Sequence, residues 1–366
     1  MSRKLKYQLV IDYIQNEIWN GTYKHGDKLQ SEKQLMDMFS ISRQTVREAM
    51  MRLSQEGLIQ TLHGKGSFYI SSEQKPLVQP VNRASIAVVA AYINNHTMPP
   101  IIDKIQQTAR ANGYSVSISC THNTVIQERQ CLLEALAGYA SGVILEPSKS
   151  ALPSLNDDLY QKFRERKIPL IFIHGCHHID TDDYVMVDDE QAGYAVGMHL
   201  IKMGHSKVGG IFKSDDMQGP LRYHGVLRAL IEQGVNIDER KIIWLATQDE
   251  KTLMHDHATQ RIILARLKEC TAVVCYNDDS AIQLADFMIG EGISVPQNLS
   301  IISFDNTRYG SAYRVPITSI DHPYGLIGKI AIESLLAKIQ SYNDLQQHML
   351  KTILIEKASV SLLTRV

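Results

Sequence analysis

With 366 residues, 44% of them apolar, the chain is too long for one ordinary hydrophobic core and too apolar to be disordered, so we expect two or three globular domains. The formal net charge is −1, but residues 1–75 carry 11 Lys and Arg against 8 Asp and Glu, and the remainder carries 27 against 31. Five cysteines without a C-x-x-C pair argue against a disulfide framework or a zinc ribbon, and no apolar run approaches the roughly 18 residues of a membrane span. We therefore expect a cytoplasmic protein whose mildly basic N-terminal part is compatible with nucleic-acid binding.

Residues 1–41 predict two short amphipathic helices. In the first, apolar side chains recur at helical spacing between positions 9 and 18, and glycines end the pattern. The second begins at Ser31, which forms with Gln34 the capping-box pattern of a helix start. Only two residues separate this helix from the next one, which begins at Ser42, so the connection is a tight turn.

The third predicted helix, residues 42–58, has one apolar face and one face suited to nucleic acid. Four apolar residues occupy one helical stripe, namely Val46, Ala49, Met50 and Leu53. Arg43, Gln44 and Arg47 lie off this stripe, and Arg and Gln can pair bidentately with guanine and adenine edges. For an isolated helix, a solvated basic face would be the better interpretation. Because a second helix and a tight turn precede it, the pattern favours a helix-turn-helix.

Residues 59–70 predict a β-hairpin after the third helix. β-type residues flank the flexible turn Gly64-Lys65-Gly66. Three helices and a hairpin make a winged helix-turn-helix, which we assign to residues 1–70. Two prolines and the lack of an apolar pattern in residues 71–83 then predict a semi-extended linker.

The N-terminal part resembles the GntR family of bacterial regulators over nearly its whole length. The resemblance is carried by GDKLQSEKQL (26–35), ISRQTVREAM (41–50), EGLI (56–59) and GKGSF (64–68). Gln30 stands where the family usually has proline, and this departure is expected to loosen the entry into the second helix. The resemblance implies contacts with DNA phosphates and bases from the helices, and with the minor groove from the hairpin tip. The implied contact residues are Lys33, Ser42, Arg43, Gln44, Thr45 and Arg47 on the helices, His63, Gly64 and Lys65 at the tip, and Lys6 and Tyr7 before the first helix.

From Ser85 onward, short buried strands alternate with helical patterns. The apolar runs lie at 86–93, 114–119, 142–147, 169–175, 184–189, 207–212, 271–277 and 299–305. Such alternation predicts parallel sheets with helices on both faces, and this many strands imply two such units. We therefore predict an α/β protein in which two doubly wound lobes enclose a cleft.

The residues at the carboxyl ends of these strands are candidates for a binding site, because ligands of open α/β sheets bind beyond those ends. They are Tyr92, Glu146, His174, Asn277 and Asp305. Carboxylate and amide groups can chelate adjacent hydroxyls of a sugar, and a tyrosine ring can stack on its apolar face. Each polar residue could equally be a helix cap or a turn residue, and Tyr92 a core residue. The residues alone therefore predict only a small polyhydroxylated ligand.

This part of the chain resembles the effector domain of LacI-type repressors and the periplasmic sugar-binding proteins. The matching segments are 187–211, 222–230, 276–306 and 315–336. The resemblance implies that Arg222, Asn277 and Asp305 bind hydroxyl groups and that Tyr92 lies near the sugar ring. His174 stands where the family usually has Asp or a similar polar residue, and Glu146 and Lys149 share another strand end. An effector-binding and dimerisation domain is thereby implied over residues 84–366, with lobe 1 at 84–186 and 323–350 and lobe 2 at 187–320 and 351–366.

A GntR-type head on a LacI-type body resembles the arabinose repressors of low-GC Gram-positive bacteria, which also share the Lys6-Tyr7 start and the string EPSKSAL (146–152). This resemblance implies a sequence-specific repressor of sugar-utilisation genes that L-arabinose releases from double-stranded operator DNA. A repressor of the same architecture that responds to another sugar or sugar phosphate is the alternative. The resemblance further implies a homodimer that has no metal, cofactor or catalytic residues.

Two other functions have weaker support in the sequence. The segment HGCHHID (174–180) contains zinc-ligand side chains, but no second cluster accompanies it, and no common catalytic motif such as G-x-S-x-G occurs. A sugar-binding protein of a transport system would match the body but not the DNA-binding head or the missing export signal. Neither an enzyme nor a transport protein would bind operator DNA.

Overall fold

A computed structural model describes residues 6–19, 22–55, 58–62, 66–70, 84–138, 140–249, 256–341 and 344–363. The chain forms two compact units, Met1–Asn82 and Arg83–Val366. The predicted linker, residues 71–83, lies outside the described residues. Within the described ranges, no helix is long and apolar enough to cross a membrane.

The first unit is a winged helix, as the sequence predicts. It consists of α1 (Lys6–Trp19), α2 (Glu32–Phe39), α3 (Arg43–Gln55), β1 (Ile59–Leu62) and β2 (Gly66–Tyr69). The two strands pair antiparallel, with Ile59 opposite Tyr69. The core is made of fully buried side chains from all three helices and the hairpin, among them Val10, Ile14, Leu35, Val46, Leu53 and Ile59. Because the apolar stripe of α3 faces this core, its polar side faces solvent.

The entry into α2 is held by side chains on both of its flanks. Ser31 Oγ accepts a hydrogen bond from the Gln34 backbone N–H (3.3 Å), and Gln34 Oε1 accepts one from the Ser31 N–H (2.8 Å), which confirms the capping box. Gln30 donates from Nε2 to the Tyr13 hydroxyl at 3.0 Å and accepts a hydrogen bond from the Tyr23 hydroxyl. The Gln30 amide thus ties the segment to α1 and to the loop that follows α1, and the expectation that it loosens this entry relative to proline stays a prediction.

The second unit contains two six-stranded sheets with helices on both faces, so the predicted α/β class is confirmed. In chain order its elements are β3 (Ser85–Ala90), α4 (Met98–Ala111), β4 (Ser115–Cys120), α5 (Val125–Ala137), β5 (Gly142–Leu145), α6 (Asp157–Glu165), β6 (Leu170–Ile173), β7 (Asp183–Val187), α7 (Asp189–Lys202), β8 (Val208–Lys213), α8 (Gln218–Glu232), β9 (Ile242–Leu245), α9 (His257–Leu267), β10 (Ala272–Cys275), α10 (Asp278–Gly290), β11 (Ser300–Asp305), α11 (Arg308–Ala312), β12 (Thr318–Asp321), α12 (Tyr324–Gln340), β13 (Gln347–Leu350) and β14 (Ile353–Ile355).

Each sheet forms one lobe. Lobe 1 has the strand order β13-β7-β6-β5-β3-β4, with every neighbouring pair parallel, and is covered by α4, α5, α6 and α12. Lobe 2 has the order β14-β12-β11-β10-β8-β9, parallel except for β14, and carries α7 to α11. Apolar clusters lie on both faces of each sheet, as expected when parallel strands are buried between two helix layers.

The chain passes between the lobes three times, always next to one edge of each sheet. The crossings lie between β7 and α7, between β12 and α12, and between β13 and β14. In the strand orders, these elements occupy one end of each sheet, whereas β4 and β9 occupy the other end. The three crossings therefore form a hinge side, and the loops that follow β4, β5, β8 and β9 lie away from it.

Candidate DNA-binding surface and ligand cavity

α3 presents the two arginines of its first turns outward. The Arg43 and Arg47 side chains are 65% and 62% exposed. Arg43 Nε lies 2.9 Å from one carboxylate oxygen of Glu32 in α2, and Arg47 Nε lies 3.1 Å from the other. The hydrogen bond from Arg43 is the main cause that holds the pKa of Glu32 below its ordinary value. Glu32, which the sequence interpretation did not single out, thus fixes the spacing of two guanidinium groups.

The other predicted contacts of these helices lie around the arginines. Lys33, Ser42 and Gln44 are exposed, and Thr45 is half-buried. Ser42 Oγ accepts the Thr45 backbone N–H at 3.3 Å and shares a 2.8 Å hydrogen bond with the Thr45 hydroxyl, so it caps the first turn of α3. The described residues therefore place all six helix residues of the predicted DNA surface on α2 and the start of α3.

Tyr7 has an intramolecular contact besides its predicted phosphate contact. Its half-buried ring lies 4.1 Å from the guanidinium carbon of Arg52, which also pairs with Glu48 at 3.0 Å. The Lys6 side chain and the hairpin tip, residues His63, Gly64 and Lys65, lie outside the described residues. Their DNA contacts stay predictions.

Lobes 1 and 2 enclose a cavity of about 230 Å³ at the carboxyl ends of both sheets. This volume lies below the range of about 300–1,000 Å³ that is typical of sites for drug-sized ligands. Six of the seven predicted effector residues line it, namely Tyr92, Glu146, His174, Arg222, Asn277 and Asp305. The seventh, Lys149, is not among the lining residues, because its ammonium group pairs with Asp215 of lobe 2 beside the cavity.

Arg222 of α8 is a buried cation with fixed orientation. Its Nε donates to Asp189 at 2.7 Å, and Nη1 donates to the Tyr276 carbonyl oxygen at 2.6 Å. Nη2 lies 3.8 Å from Asp305 Oδ1, and the guanidinium lies 4.5 Å from the centroid of the Phe304 ring. Burial opposes the charge, but Asp189 and Asp305 outweigh it and raise the pKa of Arg222. The guanidinium therefore stays charged and cannot rotate without losing these contacts.

Asp305 ends β11 beside that guanidinium. Its backbone is in the left-handed region (φ 98°), which is unusual for a residue with a Cβ and typical of functional sites. Desolvation raises the pKa of Asp305 to about 6, against the opposing effect of Arg222. Its Oδ1 lies 3.5 Å from Nδ1 of His322, whose own pKa is lowered well below its ordinary value by burial and by Arg222. The cavity wall thus has a carboxylate that titrates near neutral pH next to a neutral imidazole.

Glu146 and His174 form a second pair, on lobe 1. Glu146 Oε1 lies 3.1 Å from His174 Nδ1, and Oε2 accepts the Ala91 backbone N–H at 2.7 Å. Burial disfavours protonation of His174, but the hydrogen bond and charge of Glu146 outweigh it and raise its pKa. Within the described part of the chain, His174 and His322 each bury an Nε2 atom that has no protein partner.

Asn277 caps a helix, the alternative that the sequence left open. Its side-chain oxygen accepts the Ser280 backbone N–H at 2.9 Å at the start of α10. It also lines the cavity. Since the cap uses the side-chain oxygen, the amide NH₂ is the group that Asn277 can offer to a ligand.

Several wall residues were missed by the sequence interpretation. Lys213 ends strand β8, Asp216 and Gln218 lie just beyond it, and His322 and Tyr324 follow β12. Lys213 is buried, and its Nζ lies 2.9 Å from Asp216 Oδ2. The strand-end argument applies to these residues as well: the apolar run that predicts β8 leads directly to Lys213, whereas the mixed polar and apolar pattern of β12 does not indicate a strand.

Glycines allow α7 and α8 to approach closely enough for Arg222 to reach Asp189. A Cβ atom on Gly193 would lie 2.1 Å from the backbone oxygen of Arg222, and one on Gly225 would lie 1.9 Å from the backbone oxygen of Glu190. Neither distance is possible, so both positions require glycine at this helix–helix contact.

The histidine-rich segment after β6 does not gather its side chains into one site. His174 contacts Glu146, Cys176 packs in the core of lobe 1, and His178 Nε2 lies 3.5 Å from Asp157. No group of three or more His, Cys, Asp or Glu side chains in the described ranges is arranged to hold a metal ion.

Comparison with known proteins matches both units. Residues 6–68 match the family of bacterial regulatory proteins called gntR, and residues 198–360 match the periplasmic binding protein-like domain. The chain is 33% identical over 335 residues to an arabinose metabolism transcriptional repressor of Geobacillus stearothermophilus, covering 92% of this chain and 91% of the relative. It is 31% identical over 336 residues to the protein of the same name from Halalkalibacterium halodurans, covering 92% and 89%.

Solved structures share the fold at lower identity. The transcription regulator GntR from Chromobacterium violaceum superposes with a TM-score of 0.66 at 23% identity, covering 75% of this chain and 98% of that one. The regulator CelR in complex with cellobiose superposes with a TM-score of 0.66 at 20% identity, covering 87% and 91%.

A gntR-type winged helix followed by a periplasmic binding protein-like domain defines a transcriptional regulator. Sequence identity of 31–33% to two arabinose metabolism transcriptional repressors, over about nine tenths of this chain and of each relative, defines the family within this class. The chain belongs to the family of the arabinose metabolism transcriptional repressors, and it is a DNA-binding repressor rather than an enzyme.

Proposed function

We propose that this repressor reads its operator through α3 and the hairpin, and that L-arabinose bound in the cavity releases it. The observation that carries the proposal is the fixed guanidinium of Arg222 beside Asp305, at a cavity that both lobes line. A rigid donor group next to an acceptor carboxylate can bind two hydroxyls of one ring. The relatives' role in arabinose metabolism supports arabinose among such ligands.

The charges of the wall favour a free sugar over a phosphorylated one. Arg222 pairs with Asp189, Lys213 pairs with Asp216, and His174, whose pKa is raised, pairs with Glu146, so each of these basic groups of the described lining already has a carboxylate partner. Two more carboxylates, Asp279 and Asp305, line the same cavity. A phosphate would enter a site whose wall is net negative, and it would have to break an existing ion pair to find a cationic partner. The free-energy cost of binding it is therefore higher than that of binding an uncharged hydroxyl at the same position.

The proposed release follows from a difference in ligand affinity between two states. Closure of the lobes over the sugar changes how the two subunits of the dimer are arranged. In the closed, sugar-bound arrangement, the two winged helices fit the operator less well. The sugar can shift the equilibrium only by its preference for one state, typically about 1–3 kcal/mol of coupling. We further propose a homodimer on a pseudo-palindromic operator, since twofold protein symmetry requires two half-sites.

The direct test is operator binding with and without sugar. Operator DNA selected from a random-sequence pool is titrated with the protein in a gel shift, and L-arabinose, D-arabinose and arabinose 5-phosphate are then added at saturating concentration. We expect L-arabinose alone to weaken binding. If L-arabinose leaves operator affinity unchanged, the effector assignment fails. If no DNA sequence is selected from the pool, the assignment of the winged helix to sequence-specific DNA binding fails.

Two single substitutions separate the two sites. Arg43→Ala should weaken specific DNA binding and leave calorimetric L-arabinose affinity intact. Asp305→Ala should do the reverse and give a protein that stays on the operator at any sugar concentration. Loss of both functions in either variant contradicts the assignment of separate sites.

The functional boundaries belong to the same proposal. We assign DNA binding to residues 1–70, the linker to 71–83, and effector binding and dimerisation to 84–366, in which lobe 1 comprises 84–186 and 323–350, and lobe 2 comprises 187–320 and 351–366. Limited proteolysis should first cut the intact protein between 71 and 83. Analytical ultracentrifugation should then give a dimer for the C-terminal fragment and a monomer for the N-terminal one, whereas the reverse result would place dimerisation in the winged helix.

A further inference from the structure

A group of polar contacts joins the two lobes away from the hinge side. Asn123 follows β4 and donates from Nδ2 to Asp216 Oδ1 at 2.8 Å and to Thr247 Oγ1 at 2.6 Å. Lys149 follows β5, and its Nζ pairs with Asp215 and lies 3.5 Å from Gln248 Oε1. In each of these contacts the first residue belongs to lobe 1 and the second to lobe 2.

Two backbone groups take part in the same junction. The Met217 N–H donates to Ser150 Oγ at 2.9 Å, and the Ala151 N–H donates to the Asp215 carbonyl oxygen at 3.4 Å. Together with the side-chain contacts, they join the loops after β4 and β5 to the loops after β8 and β9. Because the hinge crossings lie at the other end of both sheets, opening the lobes about the hinge would separate these groups.

The ion pair at the centre of this junction is largely removed from water. The Lys149 side chain is 20% exposed and that of Asp215 is 5% exposed. Burial opposes ionisation of Asp215, but the Lys149 ammonium and the Thr247 backbone N–H outweigh it and lower its pKa. Desolvation of the two charges offsets much of their mutual attraction, but removal of one partner leaves an uncompensated buried charge in the closed state. Opening the lobes would break this pair and return both charges to water.

The lobe 1 side of the junction is preorganised. Lys149 and Asn123 both have left-handed backbone conformations, with φ of 56° and 53°, and the Lys149 N–H donates to Asn123 Oδ1 at 2.8 Å. The buried carboxylate of Glu128 accepts hydrogen bonds from the Tyr160 hydroxyl at 2.6 Å and from the Ser148 backbone N–H. The loop that carries Lys149 is therefore held in place from within lobe 1 and does not depend on contacts across the cleft.

The junction also reaches the cavity. Asn123, Ser150 and Asp216 are among its lining residues, whereas Lys149 and Asp215 are not. Asp216 pairs on its other side with Lys213 of the wall. A ligand that contacts this wall therefore meets residues that already hold the lobes together.

We propose that Lys149 and Asp215, with Asn123 bridging to Asp216 and Thr247, form a latch that holds the lobes closed and determines how slowly the effector leaves. Lys149 is then a positioning residue that acts through closure, not a ligand contact. This inference rests on the proposed effector site and deepens it, because it assigns retention of the ligand to an ion pair, Lys149 with Asp215, that lies outside the cavity lining. Loss of the latch acts mainly on dissociation, since the open state that admits the ligand lacks these contacts in any case.

The kinetic test uses the full-length protein, with L-arabinose as the probe in stopped-flow binding. Lys149→Met removes the ammonium group and keeps the stem, and we expect dissociation about tenfold faster with association nearly unchanged. Asp215→Asn should have a similar effect, and the double variant should lose less than the two single losses combined, because both remove the same pair. Arg129→Met is the matched control, since it breaks an exposed ion pair with Asp158 within lobe 1.

The same experiment distinguishes a latch from a ligand contact. A latch residue changes the retention of every bound sugar alike, so the ratio of affinities for L-arabinose and D-xylose should stay constant in Lys149→Met. A changed ratio, or an unchanged dissociation rate in both single variants, overturns the latch.

A measurement without sugar keeps the latch separable from the effector assignment. Hydrogen exchange of the Ala151 and Met217 amides, which donate across the junction, should be about tenfold faster in Lys149→Met than in the unmodified protein or in Arg129→Met. If the unmodified protein does not bind L-arabinose, the effector assignment fails while this exchange result still decides on the latch. Equal exchange in all three proteins overturns it.

Discussion

A single residue, Asp305, is expected to make ligand affinity at the effector site depend on pH. Its pKa is raised to about 6 by desolvation and by the charges of Asp278 and Asp279, against Arg222. His174, His322 and Tyr324 are the other titratable groups near it. A sugar hydroxyl donates to the ionised carboxylate, so binding requires loss of the proton. The dissociation constant for L-arabinose should therefore rise on acidification, towards about tenfold per pH unit well below 6.

Calorimetric titration between pH 5 and 8 checks this prediction. Asp305→Asn should bind L-arabinose weakly and should not show the rise of the dissociation constant at low pH. Asp286 is an exposed carboxylate of lobe 2 that pairs with Arg314, and Asp286→Asn should keep that rise. A dissociation constant that improves on acidification would show that the protonated carboxyl is the binding form.

Glu32 is expected to control how Arg43 and Arg47 are oriented for DNA binding, because it pairs with both. Both ion pairs are partly exposed, so their loss in Glu32→Gln should change the free energy of unfolding by less than about 1 kcal/mol. The substitution removes a negative charge that would face phosphates and frees both guanidinium groups. We expect non-specific DNA affinity to rise and discrimination between operator and random DNA to fall, by up to about 1–3 kcal/mol for one misplaced guanidinium.

Fluorescence anisotropy with operator and random duplexes measures both quantities. Glu48→Gln is the control, because Glu48 pairs with Arg52 and not with the recognition arginines. Unchanged discrimination in Glu32→Gln would mean that DNA itself orients Arg43 and Arg47.

At the scale of elements, the contact between α7 and α8 connects packing to ligand affinity. A Cβ on Gly193 meets the backbone of Arg222, so Gly193→Ala must move α8 or α7. We expect a loss of about 1–3 kcal/mol in the free energy of unfolding, as for other overpacked cores, and weaker L-arabinose binding because the 2.7 Å contact between Arg222 and Asp189 lengthens.

Gly290→Ala supplies the comparison. Gly290 is also helical, but a Cβ there meets nothing within 4 Å, so the substitution should stabilise the protein by about 0.5–1 kcal/mol and leave binding unchanged. Urea denaturation and calorimetry measure both effects. Normal sugar affinity in Gly193→Ala would show that the helices can separate without moving the guanidinium.

The elements that the sequence predicted are those with long or continuous patterns. The stripe of α3 and the buried runs of β3, β6 and β11 are read directly because all or nearly all of their residues face apolar layers. β9, β12, β13 and β14 are not predicted, since each has only three or four residues, and β12 and β13 also carry polar side chains among the apolar ones. For the same reason His322 and Tyr324 were missed, whereas residues after clear strands were identified. Lys149 shows the limit of the strand-end argument, which places a residue near the cleft but does not say whether it turns to the ligand or to the other lobe.

At the scale of the whole molecule, two compact units predict two separate thermal transitions. A ligand stabilises only the unit that binds it, by about 2.7 kcal/mol at a concentration of 100 times its dissociation constant. Differential scanning calorimetry should therefore show L-arabinose raising the transition of the effector unit alone and operator DNA raising that of the winged helix alone. D-arabinose should move neither, and a single transition shifted by both ligands would show that the units unfold together.

The three crossings between the lobes also have a consequence for biosynthesis. Lobe 1 begins at β3 but needs α12 and β13, so its sheet and its helix layer are completed only after all five parallel strands of lobe 2 have been made. While lobe 2 is being synthesised on the ribosome, two surfaces of lobe 1 lack their partners. These are the edge of β7, which later pairs with β13, and the apolar face of α4, which later packs on α12. A nascent chain that stops after β12 would expose this edge and this face together, which makes such a fragment prone to aggregation and a target for chaperones.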